Sequence, residues 1–124
     1  MIAADTSSLV AFLQGDAGDD VEMIQSALDQ HQLVLPPVVL TELLSDPGLP
    51  VPVRSLLTGL PQLQLESGYW ERAGLLRAKV IKQRHRARTA DALIAQSCLD
   101  QSVPLITRDR DFRHLAKAVG LSLI

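Results

Sequence analysis

Four carboxylates in this sequence, Asp5, Glu42, Asp91 and Asp109, are spaced so that they could share one piece of chemistry. Asp5 directly follows the apolar run "MIAA", and Asp109 lies two residues beyond "PLIT". Glu42 sits inside "PVVLTELLSD", the stretch after "LVL", and Asp91 opens "TADALIAQSCLDQ". In an open parallel α/β sheet, ligands bind at the carboxyl edge of the strands. A helix that returns antiparallel to the strands begins at that same edge. Four segments would then aim their acids at one place, while Asp100, at the far end of the helix of Asp91, falls at the opposite edge.

Carboxylates brought together without partners repel and raise one another's pKa values. A hard divalent cation removes that cost, and Mg²⁺ or Mn²⁺ suits an all-oxygen donor set. Such a pocket fits phosphodiester hydrolysis, in which the metal activates the attacking water and screens charge growing on the phosphate. Each acid also has an ordinary use. Asp5 can cap the helix that follows it, Asp91 can favour a helix dipole, and Asp109 or Asp111 can cap the last helix. The joint arrangement is what points to a metal. His31, His85 and His114 share no metal-ligand spacing and read as surface residues.

The elements that must hold these acids alternate between β-like runs and helical patterns, which gives an α/β domain. "MIAA", "LVL", "LQLE", "PLIT" and "LSLI" read as five strands. Helices read as "TSSLVAFLQ", "DVEMIQSALDQH", "PVVLTELLSD", a short helix around Val53–Thr58 after an irregular connection, "YWERAGLLRAKVIKQ", "TADALIAQSCLDQ" and "DFRHLAKAV". In the fifth, Trp70, Ala73 and Leu76 or Arg77 fall along one side, and Tyr69 and Trp70 are expected as core or interface anchors. No repeat or internal boundary appears, so residues 1–124 read as a single domain.

Composition narrows the setting. With 124 residues and 47% hydrophobic content the chain can build a real core. It has no apolar run long enough to span a bilayer and no basic, apolar leader, so a cytoplasmic protein without membrane contact is expected. Cys98 is the sole cysteine, which excludes intramolecular disulfides and cysteine-based zinc clusters, and its apolar neighbours mark it as a buried structural thiol. Charge is divided: residues 1–66 hold nine acids against Arg54 alone, and residues 67–124 hold eleven bases against five acids. That division suits a polyanionic partner for the second half and equally a solvated helix face.

At these residues the sequence resembles a PIN-domain ribonuclease, and most closely the VapC-type toxins of bacterial toxin–antitoxin pairs. "DTSSLVAFL" resembles the opening motif, an Asp followed by Thr6. "VVLTELL" resembles the helix with the second acid, Glu42. "TADALIAQSCLDQSVPLITRDRDF" resembles the strongest signature, with Asp91, Asp109 and Thr107 two residues before the latter. The resemblance implies a three-layer α/β/α fold with a five-stranded parallel sheet in the order 3-2-1-4-5. It also implies Mg²⁺- or Mn²⁺-dependent endoribonuclease activity, with Asp5, Glu42, Asp91 and Asp109 catalytic and Asp5, Asp91 and Asp109 holding metal. Thr6, Thr107 and Asp111 would support them. A homodimer and a cognate antitoxin that blocks the site are implied as well. Transfer RNA is a common target in that family, though no residue here selects it.

Four aromatic residues, Phe12, Tyr69, Trp70 and Phe112, are too few for a base-stacking platform, so RNA contact through phosphates and shape is expected. The run "KVIKQRHRAR" offers Arg84, Arg86 and Arg88 next to the helix of Asp91, for RNA or antitoxin contact. "PVVLTELL" with the proline-rich residues 47–61 carries more Leu and Val than one buried stripe needs, which suits a dimer or antitoxin groove. Two other readings remain: a nuclease-like scaffold that binds RNA or protein without cleaving, and a phosphoacceptor receiver domain. A receiver needs paired acids after its first strand and a Lys after its last. Here Asp5 stands alone before Thr6, and the chain runs out through "LSLI".

Overall fold

Three short apolar runs form the sheet: β1 (Ile2–Ala4), β2 (Leu33–Val34) and β3 (Leu105–Ile106). The computed structural model describes residues 1–124. The strands are parallel in the order β2-β1-β3, with Ala3 opposite Val34 on one side and Leu105 on the other. Neighbouring residues of a strand face opposite sides of its sheet. Ala3 and Ala4 are both fully buried, so both faces of the central strand are covered. That is why these strands read as continuous apolar runs and not as alternating ones.

Seven helices surround the sheet: α1 (Thr6–Leu13), α2 (Asp19–Asp29), α3 (Pro37–Leu44), α4 (Val51–Gly59), α5 (Tyr69–Lys82), α6 (Thr89–Gln101) and α7 (Arg110–Val119). Their starts follow local rules. Asp5 caps α1 by accepting from Ser8 N, and Asp109 caps α7 by accepting from Asp111 N and Phe112 N. Proline in the first turn opens α3 and α4, where its missing N–H costs nothing. Leu9, Ile24, Val39, Leu57, Val80, Cys98, Phe112 and Leu115 join the strands in one apolar core.

The two outer strands expected from the sequence are reduced to single bridges. Gln62 lies parallel beside Leu35, and Leu123 lies parallel beside Leu105. On the first side Leu35 N donates to Pro61 O and Leu63 N donates to Leu35 O, and the ladder stops there. Its next donor would be Pro37, which has no N–H and already begins α3. On the second side Val103 N is used to close α6 on Cys98 O, so the ladder cannot extend backwards past the two bonds around Leu123.

The two aromatic residues expected as core or interface anchors part company at the start of α5. The buried stripe of α5 is Tyr69, Ala73, Leu76 and Val80, and Trp70 is 65% exposed. Tyr69 can enter the core because its hydroxyl donates to Leu93 O at 2.6 Å, while Trp70 meets only its ring edge, with centroids 5.0 Å apart. The stripe starts one residue earlier than a helix anchored on the larger aromatic would.

Candidate active site

The ends of β1 and β3 and the starts of α1, α6 and α7 meet at one edge of the sheet. There a cleft of about 250 Å³ is lined by Asp5, Thr6, Ser7, Glu42, Arg88, Asp91 and Asp109, with Ala90 and Ile94. All four carboxylates singled out in the sequence therefore reach the same cavity. Asp111 does not line it; its backbone N–H donates to Asp109 Oδ1 at 2.9 Å, and it faces a neighbouring cavity instead.

Asp5 lies deepest, at 3% exposure. Ser7 Oγ donates to its Oδ1 at 2.8 Å, Ser8 N donates to the same oxygen at 3.0 Å, and Thr107 Oγ1 makes a short bond to Oδ2 at 2.5 Å. Thr107 Oγ1 in turn accepts from Asp109 N at 3.1 Å. One buried hydroxyl thus joins the first and fourth acids, 102 residues apart from Asp5 to Thr107. Thr6 plays a parallel part, donating to Glu42 Oε1 at 2.7 Å and bringing the second acid beside the first. Burial pushes the Asp5 carboxyl above its ordinary value, although the three donors pull against it and the charge of Asp109 adds to the rise. Burial likewise raises Asp91, opposed by Arg88.

Arg88 is the cation in this cleft. It holds the cap position of α6 without a side-chain cap bond, and its guanidinium lies 3.4 Å from Asp91 Oδ2 and 3.4 Å from Asp109 Oδ2. The rest of the basic run separates. Arg86 and Arg88 line a second cavity of about 490 Å³ with Arg77, Ala87, Asp91, Asp109 and Asp111. Arg84 lines neither; it takes a left-handed φ of 64° where the chain leaves α5. Two contributors escape a reading of the sequence. Ser7 looked like one more hydroxyl at a helix start. Arg77 Nε donates to Ala87 O at 2.8 Å, pinning the loop before Arg88, and such a contact carries no sequence signal.

An all-oxygen donor set with two carboxylates raised by burial has the chemistry to accept a hard divalent cation. The side chains as arranged do not place three His, Cys, Asp or Glu groups around one point. Asp91 and Asp109 are turned to Arg88 instead.

Beside the cleft runs an apolar groove of about 290 Å³ lined by Val10, Leu13, Leu43, Leu49, Pro50 and Val53, with Thr6 and Glu42 shared between groove and cleft. From "PVVLTELL" only Glu42 and Leu43 line it, beside Leu49, Pro50 and Val53 of the proline-rich segment, while Val38, Val39 and Leu40 pack in or against the core.

The model of the PIN domain family matches residues 2–118. The chain belongs to the PIN-domain family. PIN domains are generally nucleases and generally use divalent metals. Among solved structures, FitAcB from Neisseria gonorrhoeae superposes with a TM-score of 0.70 at 17% identity, over 100% of this chain and 96% of that one. VapBC-5 from Mycobacterium tuberculosis, a member of the VapBC family of toxin–antitoxin systems, gives 0.65 at 22% identity, over 99% and 96%. At those identities the likeness is one of fold. No curated protein matches the sequence. No helix of this PIN domain is long and apolar enough to cross a membrane.

Proposed function

We propose that this PIN domain is a Mg²⁺- or Mn²⁺-dependent endoribonuclease and the toxin of a toxin–antitoxin pair. The observation that carries the reading is the convergence of Asp5, Glu42, Asp91 and Asp109 on one cleft at the carboxyl edge of the sheet. Asp5, Asp91 and Asp109 would hold the cation, which when bound would polarise the attacking water and screen the phosphate. Glu42, tethered at Oε1 by Thr6, is set at the rim to accept a proton from that water. Thr107 keeps Asp5 and the Asp109 backbone in register, and Asp111 supports Asp109 from outside the cleft. Arg86, Arg88 and Arg77 supply phosphate contacts along the adjoining cavity, with Arg84 at its periphery.

Solved neighbours of the toxin–antitoxin class support a protein antitoxin as partner. The apolar groove, opening onto the cleft through Thr6 and Glu42, is the surface such a partner would cover, and a homodimer belongs to the same reading. One observation favours a second reading, a PIN scaffold that binds RNA without cutting it: no three carboxylates converge at ligand distance. A single assay separates them. Purified protein should cleave RNA with Mn²⁺ or Mg²⁺, stop on chelation, and lose activity in Asp5→Asn and Asp91→Asn. Metal-independent cleavage, or full activity in both variants, contradicts the carboxylate mechanism; RNA binding with no cleavage under any metal selects the scaffold.

A further inference from the structure

Arginine is a poor choice for the position Arg88 occupies. Helix caps favour Ser, Thr, Asp or Asn, and a cation at a helix N-terminus opposes the macrodipole. Arg88 makes no side-chain cap bond, and no hydroxyl or carboxylate replaces it. A local rule broken next to a functional cleft calls for a compensating gain. The gain here is its fork, reaching Asp91 Oδ2 and Asp109 Oδ2 at 3.4 Å each while the side chain stays 76% exposed. Those are two of the three acids assigned to the metal, and both face Arg88. Arg88 also stands on the wall between two cavities, the acid cleft and a neighbouring cavity of mixed charge where Arg77 and Arg86 face Asp111. The backbone on which it pivots is fixed, because Arg77 Nε holds Ala87 O and Ala92 N donates to Arg88 O.

We propose that Arg88 is a displaceable counter-ion: its guanidinium occupies the space between Asp91 and Asp109 in the metal-free protein and is released into the neighbouring cavity, toward Asp111, when a divalent cation binds. This rests on the metal-dependent reading of the cleft. Placeholder and metal compete for the same oxygens, so they bind with negative coupling. The geometry suits displacement, since long contacts from a mostly exposed side chain are weak, and the cavity beside it gives the released group room and a place for a substrate phosphate.

The test is a Mn²⁺ titration of the intact protein, with no RNA present, comparing wild type, Arg88→Gln and Arg88→Lys. Arg88→Gln should bind Mn²⁺ about three- to fivefold more tightly than wild type, in keeping with the modest strength of such pairs. Arg88→Lys, which keeps the charge and loses the fork, should fall between them. In ¹⁵N-labelled protein, the arginine Nε–Hε signal missing from Arg88→Gln should shift in step with Mg²⁺ saturation. Unchanged or weaker Mn²⁺ affinity in Arg88→Gln, or an Arg88 signal that does not move as wild type saturates, overturns the displacement while leaving the metal site standing. Failure of both wild type and Arg88→Gln to bind Mn²⁺ overturns the metal reading and this proposal with it.

Discussion

Asp20 and Asp100 each meet an arginine head-on, whereas Asp5 is buried without an ion pair and Asp91, half-buried, has only the longer contact of Arg88. Arg108 grips Asp20 through Nε at 2.7 Å and Nη2 at 2.9 Å, and holds the Asp20 carboxyl down to about 2. Arg72 does the same for Asp100, with contacts at 3.2 and 2.6 Å and help from Gln96; that carboxyl too lies below its ordinary value. In the cleft the direction reverses, because burial outweighs the donors around Asp5 and the longer contacts of Arg88 to Asp91. One residue type thus serves two ends. The matched pairs fix the frame: Arg108, next to Asp109 in sequence, ties the start of α7 to Ala17 and Asp20. On the proposed metal-dependent reading, the under-compensated acids are the ones a ligand would complete.

The largest effects should come from the cleft. Asp5→Asn and Asp91→Asn should lower RNA cleavage by about 100-fold or more, with the melting temperature of metal-free Asp91→Asn unchanged or raised, since a like charge is relieved. Asparagine can still cap α1 at position 5. A stability loss above roughly 2 kcal/mol in Asp91→Asn would make that acid a structural cap. Thr107→Val comes next. It strips Asp5 of a donor and leaves Asp109 N–H without its acceptor, so a loss of about 1–3 kcal/mol by denaturant unfolding is expected. Cleavage should fall by about tenfold, and Thr107→Ser should restore most of both.

Smaller effects belong to the frame. Asp20→Asn should lower the melting temperature by a few degrees and reduce cleavage far less than Asp91→Asn; the reverse order would erase the distinction between frame and cleft. The pH dependence should carry both signs. Stability contributed by Asp20 is present above the ordinary 3.8 and lost as pH falls through about 2. The cost of Asp5 and Asp91 is felt above their raised values and relieved as pH falls through them. In unfolding series on metal-free protein, Asp91→Asn should flatten the gain on mild acidification and Asp20→Asn the loss at lower pH.

What the sequence made legible divides along the same line. Asp5, Asp91 and Asp109 could be placed because each is tied to a strand end or helix start, and chain polarity then chooses the edge; Glu42, inside α3, reaches that edge through its longer side chain and its bond from Thr6. The capping roles of Asp5 and Asp109 were legible too, and both acids cap while lining the cleft. Only as caps were Asp109 and Asp111 not separable in "RDRDF", since which acid caps depends on where α7 begins. The outer strands failed because their pairing depends on partners: nothing in "QLQLE" says that the β2 ladder ends at Pro37. Among the arginines, charge density marked the run from Lys79 to Arg88 but not its curvature. Only the left-handed turn at Arg84 and the Arg77–Ala87 tether separate the residue in the cleft from those outside it.

The central claim is that the under-compensated acids of the cleft are a divalent-metal site, and metal-induced thermal stabilisation tests it most directly. Adding Mn²⁺ should raise the melting temperature of wild type and of Asp20→Asn alike, and leave Asp91→Asn nearly unmoved. No rise in wild type, or an equal rise in Asp91→Asn, would contradict it.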